Sequence, residues 1–440
     1  MTVVVSGPRP APPLIRSNDV FILGSGFSKS ISPDLMPTLG ELGERVGARF
    51  QKGPGFNHLP QTAAAALRAG RMPSGNLESW LSHLATPAPF LSELERLYNT
   101  AIAEELAELI VDEIARSQKQ TLERPIPPWL PRLVSLWDRR AATVVTFNYD
   151  TLVEYAVADA RMPWVQYPRL DGTVEELSSL QLHKLHGSIS WYRTLNDRVG
   201  TSLAKMRPAG IWGEPEKSNP PGGMVPLVVP PLATKSDYYD LSVVRAEWQL
   251  ARAALAEAKR LVLMGYSTPM TDLAVVALLS QYLAAGADIQ VIDVDPGPVV
   301  KRLRSLGLKP TSPFDGADAI ARFVDGYEVA VSRDVASALL PVFDSSVAAF
   351  LDTPVVAYTA RQKGPPPPVK RIDIEADKTV IVASDDTLEV KIYGRDLQRA
   401  VQEAADGSRR LVLKVGDQPE RAVLNITQRV FYANLVTVET

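Results

Sequence analysis

The sequence contains no cysteine. That excludes disulfide bridges, thiolate nucleophiles and cysteine-ligated zinc together. Histidine is scarce as well. Only His58, His83, His183 and His186 occur in 440 residues, so a histidine-rich metal centre is not expected and no metal is assigned. No apolar run approaches the ~20 residues that span a bilayer, which argues against a membrane partner. The opening MTVVVSGPRPAPP lacks a basic stretch followed by an apolar one, so no signal peptide is expected and the cytoplasm is the simplest placement. An excess of one charge is also missing: 47 Lys+Arg against 50 Asp+Glu leave a formal net charge of -3. Nothing in that balance calls for direct nucleic-acid binding.

Apolar residues are abundant, at 45%, and the length suits two or three domains with a sizeable core. Val20–Ser28, VFILGSGFS, reads as a short buried strand entering a glycine turn. Residues 37–140 turn helical, and LSELERLYNTAIAEELAELIVDEIARS from Leu91 predicts a long amphipathic helix. Strand signals return at Ala142–Phe147, Leu261–Met264 and Ile289–Asp293, with helices over Arg245–Lys259 and Asp272–Ala285. Alternating strands and helices predict an α/β chain: a Rossmann-like open parallel sheet with a helical insertion. Between Arg193 and Met224 the chain reads as a long loop rich in Gly, Pro and Asn. The organisation expected is one unit over residues 1–345, a Pro-rich linker region over 346–368 and a small β-rich C-terminal domain over 369–440. That last domain carries one helix near Leu397–Ala405 and serves assembly or regulation.

Five short pieces carry candidate chemistry, and each has a plain structural alternative. Gly24-Ser25-Gly26 after the first strand lets a backbone approach a diphosphate, or is simply a tight strand–helix turn. Thr146-Phe147-Asn148-Tyr149-Asp150 follows a buried strand. In extended backbone Asn148 and Asp150 share a side, and the alternative is a turn with Asp150 or Thr151 as a helix N-cap. Lys184-Leu185-His186-Gly187 places a histidine at a strand end before a glycine, open to a cleft or satisfied in the core. Gly265-Tyr266-Ser267 is another small-residue strand end. Asp293 closes a late strand, suited to the two hydroxyls of a ribose or merely a loop carboxylate.

The order of these pieces is more specific than any one of them. Through LGSGFS, TFNYDTLVE, KLHGSISW, VVPPLATK and LMGYSTPMTD, spread over about residues 20–300, the chain resembles the sirtuin family. It is most similar to the bacterial NAD-hydrolysing branch found in anti-phage defence. The resemblance implies that NAD is the substrate and that its nicotinamide–ribose bond is cleaved, giving nicotinamide and ADP-ribose or a cyclised form. It implies Asn148 holding the ribose and water, His186 as base, and Asp150 orienting Asn148 or touching nicotinamide. Gly24, Ser25, Gly26, Phe27 and Ser28 would hold the diphosphate, with Thr146, Gly265 and Ser267 close by and Asp293 on the adenosine ribose. It further implies a homo-oligomer, with a partner ATPase that translocates DNA or an Argonaute-type protein. The chain has no glycine–lysine phosphate loop of its own, so an ATPase would be another chain. The chain departs from deacylating sirtuins in having no four-cysteine zinc module. A protein deacylase, a non-catalytic NAD or ADP-ribose sensor and a purely structural protein stand as alternatives.

Overall fold

The computed structural model describes residues 18–52, 77–159 apart from 87, 180–194, 204–205, 224–269 apart from 233–234, 272–342, and seven strands between 356 and 437. The predicted buried strands form the centre of one sheet. They are β1 (Asp19–Leu23), β2 (Thr143–Thr146), β7 (Arg260–Met264) and β8 (Asp288–Ile292), joined by β3 (Gln181–Lys184) and β9 (Thr311–Phe314). The order across the sheet is β3-β2-β1-β7-β8-β9, and every neighbouring pair is parallel. This is the Rossmann-like arrangement expected.

Continuous apolar strands need cover on both faces. On one face Val20, Ile22, Val145, Leu261, Leu263, Ile289 and Val291 pack with Ala251, Leu255, Val275, Leu279, Val299 and Leu303. Those partners lie on the helices Ser242–Ala256, Leu273–Tyr282 and Gly297–Ser305. On the other face Phe21 meets Trp137, Phe323 and Tyr327, with ring centroids 5.2, 6.2 and 5.6 Å away. Successive β1 side chains thus serve opposite layers, as the two-residue period of a strand requires.

Between the helix Ser25–Ile31 and β2 stand the helices Leu39–Lys52, Leu77–Ala85, Glu93–Leu122 and Trp129–Arg139. The third is the predicted long helix. Ser92 caps it, with Glu95 completing a capping box, and it runs past Ser117 to Leu122. Ile102, Leu106, Ile110 and Ile114 recur every fourth residue. They bury against Leu42, Val46, Phe50, Trp80 and Leu81, giving the insertion a core of its own.

The stretch 193–224 expected to be a loop is not wholly one. Strand β4 (Gly187–Thr194) pairs antiparallel with β5 (Ala204–Lys205) and with β6 (Met224–Val228). A two-residue strand stabilised by a distant partner leaves no periodicity to read. Toward the C-terminus seven strands form two sheets: β11 (Val369–Ile374), β12 (Lys378–Ala383) and β13 (Glu389–Tyr393) in one, and β14 (Arg410–Lys414), β15 (Glu420–Thr427) and two further strands in the other. β10 (Val356–Thr359), within the 346–368 stretch, pairs in parallel with β16 (Val430–Thr437). The proline run 364–368 and the helix expected near 397–405 lie outside the described residues. Among the described residues, no helix is long and apolar enough to cross a membrane.

Candidate active site

Strands β2 and β3 extend to one side of β1, and β7, β8 and β9 to the other. The strand order therefore reverses between β1 and β7, and such a switch point opens a crevice outside the carboxyl ends of the strands. Both strands end in glycine. Gly24 N donates to Met264 O at 3.2 Å, and Gly26 N to Gly265 O at 2.9 Å. Gly265 has φ 57°, and a Cβ added there would lie 2.1 Å from Phe27 N. A Cβ on Gly24 would lie 2.5 Å from Gly265 O. The two turns close backbone on backbone, which only glycine permits. The N–H groups of Gly24 and Gly26, expected to meet a diphosphate, are bonded to the end of β7 and to the turn that follows it.

The helix Ser25–Ile31 begins here with Gly24 as its N-cap. Ser25 and Gly26 are half-buried. Phe27 instead turns into the aromatic layer against Trp129 and Trp137, with centroids 5.6 and 6.2 Å away. Ser28 is buried and faces the end of β2.

There the Asn148 side chain donates from Nδ2 to Gly24 O at 2.8 Å and to Ser28 Oγ at 2.9 Å. Ser28 Oγ donates in turn to Asp150 Oδ2 at 2.6 Å. Both amide hydrogens of Asn148 are thus engaged, and its oxygen is the group left to meet a ligand. Asp150 Oδ1 also accepts Leu152 N at 3.2 Å, so it caps the following helix as well as gripping Ser28. Burial pushes the Asp150 carboxyl above its usual range, and the charge of Lys184 and the Ser28 hydroxyl oppose that. Thr146 Oγ1 accepts Asn148 N at 3.1 Å. Further contacts pin this loop: Tyr149 Oη donates to Val229 O at 2.7 Å, Thr151 N to Gln118 Oε1 at 2.6 Å, and the Lys184 ammonium bonds Asp150 O and Glu154 Oε1. Gln118 lies on the long helix, so the insertion holds the site loop directly.

His186 belongs to a second cluster. It follows β3, and Gly187 after it adopts φ 75°, with β6 so close that an added Cβ would lie 2.1 Å from Leu227 O. The imidazole is 10% exposed. It stands edge-on to Phe147 at 5.0 Å, and Phe147 stacks on Tyr266 at 4.6 Å. Lys235 Nζ lies 3.5 Å from His186 Nε2 and 2.5 Å from Asp272 Oδ2, and that carboxylate oxygen is 3.7 Å from the same Nε2. Burial first, and the Lys235 charge second, hold His186 well below the usual imidazole range. His183, by contrast, faces Glu247 at 3.0 Å inside the fold.

Ser28, Thr146, Asn148, Asp150 and the Gly24 turn therefore form one hydrogen-bonded cluster. His186, Lys235 and Asp272 form another, linked to the first through Phe147 and Tyr149 on either side of Asn148. Asp293, half-buried at the end of β8, accepts Asp295 N at 3.2 Å and joins neither cluster. Burial raises its carboxyl as well. Ser267 is exposed beyond Gly265. Among the described residues, the Tyr266 hydroxyl and Thr268 Oγ1 are buried without a hydrogen-bond partner. Thr268 also has φ 49°, a strained conformation for a β-branched residue. Sequence reasoning missed Lys235 and Asp272, although each closes a quoted segment, VVPPLATK and LMGYSTPMTD. A charged residue ending an otherwise apolar or small-residue segment was the available signal, since a buried charge needs a partner.

No family model matches the chain, and no curated protein matches it. Solved structures give distant likenesses. A complex of a Sir2 homologue with NAD has a TM-score of 0.36 at 15% identity, over 72% of this chain and 93% of that one. A mutant Sir2 homologue with ADP ribose has 0.38 at 16%, over 74% and 95%. A mutant with 2'-O-acetyl ADP ribose has 0.37 at 16%, over 72% and 95%. The fold assignment rests on the strand order itself.

Proposed function

We propose that the chain binds NAD across the β1/β7 crevice and hydrolyses its nicotinamide–ribose bond. The observation that carries this is the Asn148 amide, fixed by Gly24 O and Ser28 Oγ at the carboxyl end of β2, beside the switch point. Breaking the N-glycosidic bond releases a neutral base and leaves an oxocarbenium-like ribose at C1′. That step calls for fixed dipoles and a placed water more than for a strong acid. An amide that has committed both hydrogens presents its oxygen to such a cation or to its attacking water without reorganising. An uncharged His186 accepts a proton, and Asp293 suits the adenosine ribose. From the resemblance alone we extend the proposal to an NAD-depleting effector in anti-phage defence, acting as a homo-oligomer with a partner ATPase or Argonaute-type protein.

One observation favours binding without cleavage: Nε2 of His186 already faces Lys235. Chromatography of NAD incubated with the purified chain separates the readings. Hydrolysis releases nicotinamide, and Asn148→Ala and His186→Ala each lower turnover by about 100-fold or more. Retained wild-type rates in both variants refute the assignment. Saturable NAD binding with no nicotinamide release, alone and with candidate partner proteins, establishes the sensor.

A further inference from the structure

His186 has two ring nitrogens, and the fold treats them differently. An ammonium has only hydrogens to offer, so Lys235 Nζ at 3.5 Å from Nε2 makes that nitrogen an acceptor. In a neutral imidazole the proton then resides on Nδ1. Lys235 is fixed from both ends. Its carbonyl accepts Tyr238 N and Tyr239 N at 3.1 Å, starting the short helix Ser236–Tyr239. Its ammonium meets Asp272 at 2.5 Å with both side chains 6% exposed. Asp272 is fixed in turn as the N-cap of the helix Leu273–Tyr282. Among the described residues, further titratable groups stand around this cluster: Tyr238, the Glu78 carboxylate, which acts on Tyr149 and Tyr266, and three more tyrosines. Tyr149, tilted toward His186 with its centroid 6.5 Å away, and Tyr239 and Tyr266 near Asp272 are all pushed up by burial and stay uncharged.

We propose that Lys235, anchored by Asp272, is a positioning residue that keeps the His186 imidazole uncharged, with Nε2 as acceptor and the proton on Nδ1. In hydrolysis, which rests on the reading above, Nδ1–H donates a hydrogen bond and keeps its proton, and the proton released by the attacking water goes to Nε2. Nε2 takes a proton only when the ammonium turns wholly to Asp272, and that carboxylate, already 3.7 Å away, stabilises the imidazolium.

The test is nitrogen NMR of the full-length chain with labelled histidine, titrated without NAD. Four histidines make the spectrum tractable, and His186→Gln identifies the signal. In the wild type, His186 stays uncharged below its ordinary value near ~6.5, with Nε2 unprotonated and Nδ1 protonated. Lys235→Met leaves the Asp272 carboxylate facing Nε2 and raises the titration midpoint by about one pH unit or more, roughly tenfold in proton affinity. Asp272→Asn keeps the helix cap and the ammonium, and the midpoint does not rise. A wild-type Nε2 that carries the proton overturns the proposal, as does a Lys235→Met midpoint that stays or falls. If Lys235→Met does not fold, the wild-type tautomer and Asp272→Asn decide it. Nicotinamide release is measured on the same wild-type sample. Its absence, alone and with candidate partner proteins, beside the expected tautomer refutes only the hydrolase reading.

Discussion

Gly265 offers the sharpest test of how the crevice is built. Changing it to alanine adds one methyl group at φ 57°, with backbone atoms Phe27 N at 2.1 Å and Gly26 C at 2.3 Å in its way. Two penalties follow. A left-handed conformation costs an L-residue about 1–2 kcal/mol, and forcing atoms into a packed space costs about 1–3 kcal/mol more. Gly286 supplies the control, since it has φ 83° and nothing within 4 Å of an added Cβ. Its alanine variant carries the first penalty alone, so the difference between the two isolates the steric part. We expect Gly286→Ala to lose about 1–2 kcal/mol and Gly265→Ala about 2–5 kcal/mol. At about 2–4 °C per kcal/mol, the extra 2 kcal/mol or so places the Gly265→Ala melting transition about 6 °C below the control by circular dichroism. Added NAD should raise the melting temperature of Gly286→Ala as it does the wild type, and raise that of Gly265→Ala less. Variants within about 0.5 kcal/mol of each other would refute the claim that the two turns close on one another, because additions this near to backbone have no flexible neighbour to yield.

The other predictions concern buried charge. The Asp150 carboxyl is raised above its ordinary 3.8, so its contribution to stability is full below that value and is lost as pH rises through the higher folded value. Asp150→Asn removes the titration, so denaturation curves should show wild-type stability falling more steeply than the variant's just above pH 3.8, by up to about 1.4 kcal/mol per pH unit; parallel slopes would contradict it. Lys184, fully buried between Asp150 O and Glu154, should cost about 3–5 kcal/mol when changed to Met, and the double variant K184M/E154Q should recover part of that loss in urea unfolding. A double variant no more stable than K184M would show that the pair contributes no mutual compensation.

The central strands were legible because their composition matches their burial. VFIL and LVLM are unbroken apolar runs, and TVVT and DIQVI carry apolar residues at their buried centres and ends, with both faces of the sheet covered. Only the end of β3 was legible, at the histidine before Gly187; the strand itself was not, although it is buried, because its sequence QLHK is mostly polar. Its polarity is matched by partners 30 and 64 residues away: Glu154 for Lys184, and Glu247 for His183. A hydrophobic pattern cannot register such a strand. β9, TSPF, escaped for another reason. It is an edge strand with Pro313, where few side chains are buried and a missing N–H is tolerated. The candidate site divides similarly. Strand-end positions placed Asn148, His186 and Asp293 near one end of the sheet, while Lys235 and Asp272 act by pairing across 37 residues. The spacing of either residue alone does not announce that pairing.

The glycines deserve a separate weight from the polar residues in any reading of this crevice. A parallel pair of strands flanking a switch point must send both chains away at the same level, and here the two turns touch before either reaches a ligand. Gly24, Gly26 and Gly265 are accounted for by that contact alone. A glycine pattern of this kind therefore reports that two strands are neighbours and says little about phosphate. The polar residues are different. Two hydrogen bonds hold Asn148 in place and still leave its oxygen over, and a buried ammonium beside His186 lowers the imidazole's basicity without adding to the core. Packing does not require either arrangement, since an apolar side chain would fill the same space without the desolvation cost. On the proposed reading, the chemistry is carried by residues 148, 186, 235 and 272, on a scaffold whose glycines would be needed even if it bound nothing.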